Sequence, residues 1–130
     1  MKDLLCDEFQ EAVAQYLVRH RSILDVISKF QESNARVNRA VVKAVTNCGC
    51  LEIDAQKQQF TSKDLTELLA TVDTHLGGKL CDECRETIEA ELGNNLFYLV
   101  SLCNLLDLSL FDVLLKEHKR LETLGVFKLS

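Results

Sequence analysis

The sequence predicts an all-α protein, and three observations support that prediction. The 130 residues include no proline and only five glycines, so few positions would interrupt a helix. Hydrophobic residues make up 47% of the chain, and they recur at helical spacing along most of it. The length fits one domain, residues 1–130, with enough chain to bury a core. We therefore expect a single bundle of about five helices.

The first two predicted helices occupy the N-terminal part of the chain. Apolar residues near helical spacing across residues 3–18 predict the first helix. A second apolar pattern extends over residues 23–48 and predicts one long helix. Residues 31–35 are poor helix formers where an apolar residue is due, so a kink at that point stays open.

A third helix is predicted from a start signal and a stop signal. Thr61 and Asp64 have the spacing of a capping box. The two glycines at positions 77 and 78 are typical of a helix end. The apolar side of this predicted helix consists of Leu65, Leu68, Leu69, Val72 and Leu76.

Two more helices are predicted in the C-terminal part. One begins near Cys81, where Asp82 and Glu83 suit the positive N-terminal end of a helix. The last is capped by Ser109 and is predicted to end at Gly125.

Charge and composition exclude several classes of function. The net charge is −5, and the 15 basic residues form no block, which argues against a nucleic-acid surface. No apolar run approaches the ~20 residues of a membrane-spanning helix, and acidic residues near the N-terminus do not fit a signal peptide. We therefore expect a cytoplasmic protein without a membrane partner. In that reducing compartment, its six cysteines would be thiols or metal ligands.

Four of the cysteines form two close pairs. Cys48 and Cys50 are separated by thirty residues from the pair Cys81 and Cys84. Zn²⁺ takes four thiolates in a tetrahedron, and two thiol pairs separated by a loop or hairpin can supply them. The pattern therefore predicts a zinc site.

Two other interpretations of these cysteines remain. In the first, Cys48 and Cys50 are small buried apolar residues, and Cys81 and Cys84 merely lie near a helix end. A redox role for the CxxC pair is less favoured, because the sequence lacks the βαβ pattern of thioredoxin-like folds.

Polar residues also interrupt the apolar stripe of the fourth predicted helix. At about 100° per residue, Glu91 lies nearly in line with Cys84, and Asn95 falls among apolar residues. Buried polar groups need partners. Glu91 and Asn95 are therefore either site residues or satisfied core residues.

Residues 91–100 resemble the second acidic motif of the MazG-like nucleoside triphosphate pyrophosphohydrolases. That motif reads glutamate, leucine, glycine, aspartate and then apolar residues, whereas this chain has Asn94 at the aspartate position. The resemblance implies a MazG-like helical fold, a homodimer or tetramer, and a nucleotide substrate. It also implies Mg²⁺ as a cofactor.

The resemblance extends into the C-terminal part of the chain. Residues 102–110 are similar to the family's continuation, which contains an asparagine, here Asn104, and leads to a last helix with lysines. The resemblance implies substrate-binding roles for Asn95 and Asn104. It also implies that Lys116 or Lys119 neutralises phosphate.

The family's first acidic motif corresponds to residues 46–51, where a glycine and a leucine match but the acids do not. In the family, two acidic pairs on facing helices hold Mg²⁺, which orients the attacking water. The resemblance gives those positions to Asn47, Cys50, Glu91 and Asn94, with Asn47, Glu91 and Asn94 as the catalytic candidates. Only one of the four is a carboxylate, so the set favours a softer metal such as Zn²⁺ over Mg²⁺.

A second alignment places the first acidic motif at Asp64 and Glu67, which lie closer in sequence to Glu91. Acidic residues are favoured in the first turn of any helix, which is a simpler explanation for this pair. We prefer the alignment through Asn47.

Two functional hypotheses follow. The first is a diverged MazG-like pyrophosphohydrolase, weak or inactive, in which Glu91 is a metal ligand or orients water. The second is a non-catalytic helical protein that a cysteine-bound zinc stabilises and that binds a nucleotide or a protein partner. The missing carboxylates favour the second hypothesis.

Overall fold

A computed structural model describes residues 4–17, 21–60 and 64–124 of the chain, and these residues are mostly helical. The predicted helix signals at Thr61 and Gly125 lie outside the described residues. The elements in chain order are α1 (Leu4–Tyr16), α2 (Ile23–Lys43), a π-helical turn (Ala44–Cys48), β1 (Leu51–Ile53), α3 (Leu65–Thr71), β2 (Leu76–Gly78), α4 (Asp82–Leu105) and α5 (Leu110–Leu124).

Four of the predicted helices are confirmed closely. The long second helix is continuous through residues 31–35 and changes to π-helical geometry only in its last turn. Cys81 caps α4, because its sulfur accepts a hydrogen bond from the Cys84 backbone N–H at 3.4 Å. The Ser109 hydroxyl likewise accepts from the Asp112 backbone N–H at 3.2 Å, just before α5 begins.

The prediction of the third helix is wrong for the second half of that helix. It ends at Thr71, and residues 76–78 form β2, which pairs antiparallel with β1. The Gln58 side chain binds both backbone groups of Asp73, and His75 adopts a positive φ of 60°. These local bonds compete with the helical hydrogen-bond pattern and turn the chain into the small sheet.

Helices α2 and α4 form the main packing of the molecule. They are antiparallel, since Ser33 contacts Asn95 near the middle of both helices, while Cys48, just beyond the end of α2, contacts Cys81, just before the start of α4. The Asn95 amide donates to Ser33 Oγ at 2.9 Å and to Asn34 Oδ1 at 2.5 Å. Ser33 is 1% exposed and donates to the Phe30 carbonyl. The middle of this helix pair is therefore joined by polar contacts.

Two small hydrophobic clusters lie toward opposite ends of α4. The cysteine-end core consists of Ala44, Leu51 and Ile88, with partly buried neighbours that include Cys50 and Cys84. The α1 core consists of Cys6, Val13, Val100 and Leu110.

The side chain of Gln10 joins α1 to the junction of α4 and α5. Its amide donates to Asn104 Oδ1 at 2.9 Å and to the Leu108 carbonyl at 2.7 Å, and its oxygen accepts from the Leu110 backbone N–H. Asn104 donates in return to the Gln10 carbonyl at 3.1 Å. This network fixes the turn between α4 and α5.

Among the described helices, none by itself is both long enough and apolar enough to cross a bilayer. Helices α4 and α5 meet that requirement only as a pair, and a bend of 105° separates them.

Asn95→Leu should lower the free energy of unfolding by about 1–2 kcal/mol, because it removes the hydrogen bonds that join α4 to α2. Chemical denaturation measures the change. Asn94→Leu is the matched control, since Asn94 is exposed and its side chain makes no hydrogen bond to a described residue. An equal cost for both substitutions would contradict a structural role specific to Asn95.

Gly78→Ala should destabilise the sheet, because Gly78 has a φ of 79° and an added Cβ would collide with the Cys50 carbonyl. The left-handed conformation alone costs a residue with a side chain about 1–2 kcal/mol. Gly77→Ala is the control, since its Cβ would meet only Glu52 atoms at ordinary distances of 3.8–3.9 Å. Thermal unfolding of both variants tests the contrast, and equal melting temperatures would refute it.

Candidate metal centre

Four cysteines meet where the long helix α2, the small sheet and α4 come together. Cys48 ends the π-helical turn, and Cys50 directly precedes β1. Cys81 caps α4, and Cys84 lies in its first turn. One pair therefore lies just before β1, and the other lies just after β2.

The local backbone explains how the first pair turns toward one point. Gly49 has a φ of 80°, and its N–H donates to the Ala44 carbonyl at 2.9 Å, which closes the helical turn. A left-handed residue between two cysteines reverses the chain direction, and glycine adopts that conformation at little cost.

The pairing of the strands brings the second pair to the first. Leu51 is the register partner of Gly78, so Cys50 and residues 79–81 emerge at the same end of the sheet. The sheet therefore brings together two cysteine pairs that thirty residues separate in the sequence.

The sulfur geometry fits a single ion. The four Sγ atoms lie within 4.8 Å of one another, and Cys48 Sγ lies 3.8 Å from Cys81 Sγ. A tetrahedron with Zn–S bonds of about 2.3 Å has sulfur–sulfur edges of about 3.8 Å. No disulfide joins these thiols, because all four are free cysteines. The cluster can therefore hold a metal ion.

Hydrogen bonds within the cluster shift the pKa values of three of its thiols in different directions. The backbone N–H and the thiol of Cys84 lower the pKa of Cys81 to about 7. The Cys81 sulfur and burial raise the pKa of Cys84 well above its ordinary range. The largest single effect on Cys48 is the backbone N–H of Cys50, which lowers its pKa, but the Cys81 thiol, the Cys50 thiol and burial together raise the pKa, and the overall shift is upward. Four neighbouring thiolates repel one another, and a bound cation would remove that repulsion.

The remaining site residues predicted from the MazG-like resemblance do not meet at one point. Asn47 lies beside the cysteines in a groove that Cys48 and Cys84 also line. Glu91 lines a second groove, and Asn94 a third. Cys84 and Glu91 are seven residues apart on α4, or about 10 Å along the helix. The predicted catalytic group of Asn47, Glu91 and Asn94 is therefore spread along the α2–α4 pair.

The predicted substrate-binding residues have other surroundings. Asn95 and Asn104 make the hydrogen bonds to protein groups that join α4 to α2 and α1. Lys116 and Lys119 are exposed on α5, which packs against α1. Asp64, which the alternative alignment places in the first acidic motif, caps α3: its side chain accepts a hydrogen bond from the Thr66 backbone N–H at 3.1 Å.

Sequence reasoning missed the basic residues around Glu91. Arg36, Arg39 and Lys43 of α2 line the same groove as Glu91. Their spacing of three and four residues places them on one helical face, so this signal was present in the sequence. The sequence pattern does not show which residues of another helix lie opposite these cations, and the structure places Glu91 of α4 there.

Comparison of this chain with protein-family models, with curated proteins and with solved structures found no match.

Proposed function

We propose that this chain is a non-catalytic helical binding protein that a structural zinc ion stabilises. The observation that carries the proposal is the convergence of Cys48, Cys50, Cys81 and Cys84, whose sulfur atoms all lie within 4.8 Å of one another. Thiolates are soft ligands, and a four-sulfur tetrahedral set suits Zn²⁺ far better than Mg²⁺.

A structural role fits this ligand set better than a catalytic role. Four thiolates fill the tetrahedron, whereas catalytic zinc sites keep one position for water or substrate. Among the described residues, the buried members of the cysteine-end core are Ala44, Leu51 and Ile88. So small a core gains substantially from an ion that ties its elements together.

The charges around Glu91 argue against Mg²⁺ chemistry at that residue. Three cationic side chains, Arg36, Arg39 and Lys43, line its groove, and no other carboxylate among the described residues lines it. Mg²⁺ sites in proteins rely on carboxylates and substrate phosphates. The diverged MazG-like pyrophosphohydrolase and its MazG-like fold stay predictions.

We also propose that the protein works as a homodimer or tetramer. Large apolar side chains such as Val113, Leu114 and Leu121 are exposed on α5, at 43%, 52% and 57%. Burial of such apolar surface against a second copy would favour association.

The best candidate for the face that a second copy covers is an apolar groove formed by α1, α4 and α5. Its volume is about 320 Å³, and its lining residues are Leu5, Cys6, Phe9, Leu96, Leu110 and Leu114. Most of α5 is exposed, with only Leu110 buried. An isolated helix of this length is marginal in water, so a second subunit packed on this face would stabilise it.

Protein purified without added metal should contain about one zinc per chain, and Cys84→Ser should lose it. The melting temperature should fall together with the metal content, because the binding energy of a structural zinc is folding energy. Elemental analysis and thermal unfolding measure the two quantities.

Cys6→Ser is the control for metal content, since Cys6 lies in the α1 core, away from the cluster. It should keep the zinc even if burial of a hydroxyl lowers its stability. Absence of metal in the wild-type protein, or equal metal content in wild type and Cys84→Ser, would reject the site.

Leu114→Glu should shift the assembly toward monomer, because it places a charge in the apolar groove. Sedimentation analysis over a range of protein concentrations measures the state. Leu69→Glu is the matched control, since Leu69 lies on α3 outside this groove and is 72% exposed. A wild-type protein that is monomeric at every concentration would refute the oligomer.

A further inference from the structure

The groove between α2 and α4 carries a local excess of positive charge. Its volume is about 420 Å³, and Arg36, Arg39 and Lys43 line it from α2. Thr87 and Glu91 line it from α4, and Glu91 is the one acid among its lining residues. The chain as a whole has a net charge of −5, so this concentration of cations is a local feature.

Arg36 is paired with Glu32 on α2, whereas Arg39, Lys43 and Glu91 have no ion-pair partner among the described residues. Glu32 binds Lys29 at 3.2 Å and Arg36 at 3.5 Å, and these cations lower the pKa of Glu32. Arg39 and Lys43 form no ion pair with any described residue, although Glu91 faces the same groove. Glu91 is half-buried and has no hydrogen-bond or ion-pair partner among the described residues. The groove therefore presents cationic groups and one carboxylate that have no ion-pair partner among the described residues.

We propose that this groove binds a small phosphate ester that also carries hydroxyl groups. Arg39, Lys43 and Arg36 would contact the phosphate, which is close to a dianion at neutral pH. Guanidinium groups match pairs of phosphate oxygens. Glu91 would accept a hydrogen bond from a hydroxyl group of the same ligand.

The size of the groove favours a small molecule over a nucleic acid. Small-ligand sites commonly have volumes of about 300–1,000 Å³. The outermost of the three cations, Arg36 and Lys43, are seven positions apart on α2, or about 10 Å, which gives too few phosphate contacts for a polynucleotide. The proposal goes beyond the proposed zinc-stabilised function and does not depend on which metal the cysteines hold.

The test is calorimetric titration of the protein as purified, with ribose 5-phosphate, inorganic phosphate and ribose as separate probes. We expect ribose 5-phosphate to bind more tightly than inorganic phosphate, and ribose alone not to bind. The double variant Arg39→Glu, Lys43→Glu should weaken ribose 5-phosphate binding at least about tenfold, because two attractive charges become repulsive.

Lys57→Glu is the matched control for the charge change, because Lys57 is exposed in the segment after β1 and does not line the groove. It should bind ribose 5-phosphate as the wild type does. Glu91→Gln should reduce the preference for ribose 5-phosphate over inorganic phosphate, since it loses a charged acceptor for the hydroxyl and a charge that repels phosphate.

Metal content and melting temperature, measured on every variant, separate loss of the groove from loss of the fold. If the double variant loses ribose 5-phosphate binding but keeps its zinc, the groove is supported as the binding site, independently of the metal site. No wild-type binding, or an unchanged affinity in a folded double variant, would overturn the proposal.

Vesicles of phosphatidylcholine containing phosphatidic acid distinguish a soluble ligand from a lipid headgroup. We expect ribose 5-phosphate to bind in the absence of vesicles. Binding to these vesicles without binding to either soluble phosphate would overturn the proposed soluble ester.

Discussion

The convergence of four thiols is the constraint on which the cysteine end of this protein depends. The long helix α2 ends there, α4 begins there, and the two short strands lead into and out of the same point. Among its described residues, the intervening segment of thirty residues is held together by a three-residue strand pair, by the hydrogen bonds between Gln58 and Asp73 and, at its two ends, by these side chains. Closing a loop of that length costs conformational entropy, and an ion held by both cysteine pairs would offset it in the manner of a cross-link.

The packing of α2 on α4 explains why such a cross-link matters. Hydrogen bonds of Asn95 and Ser33 join the two helices, and charged side chains line the groove between them. Hydrogen bonds of this kind contribute about 1 kcal/mol each, much less than a well-filled apolar interface. The cysteine-end core adds apolar packing to this helix pair, whereas the α1 core joins α4 to α1 and α5.

The long elements of the fold were predictable from the sequence because their apolar period extends over many residues. The start of α4 was predictable as well, since Cys81, Asp82 and Glu83 are typical of a helix N-terminus. The strands were not, because three residues are too few to show alternation and their pairing joins Leu51 to Gly78 across a distant loop. The residues after Thr71 continue an apolar helical period, so only their local hydrogen bonds reveal that the helix has ended.

For the candidate site, sequence reasoning succeeded where the chemistry lies in the residue type. The spacing of the cysteine pairs predicted their convergence, because two close thiol pairs separated by a loop or hairpin can supply the four ligands of one metal ion. The roles of Asn95 and Glu91 depend instead on which α2 residues lie opposite, and helical period alone does not specify that register. Asn95 meets Ser33, whereas Glu91 meets a face of cations.

The separation of the two cores along α4 has a consequence for cooperativity. Ile88 and Val100 belong to different cores and lie about 18 Å apart along one helix. Regions with separate cores open as separate units when the contact between them is weak. Amide hydrogen exchange should therefore divide α4, with protection of its first turns following metal occupancy and protection of its last turns following the packing of α1 and α5.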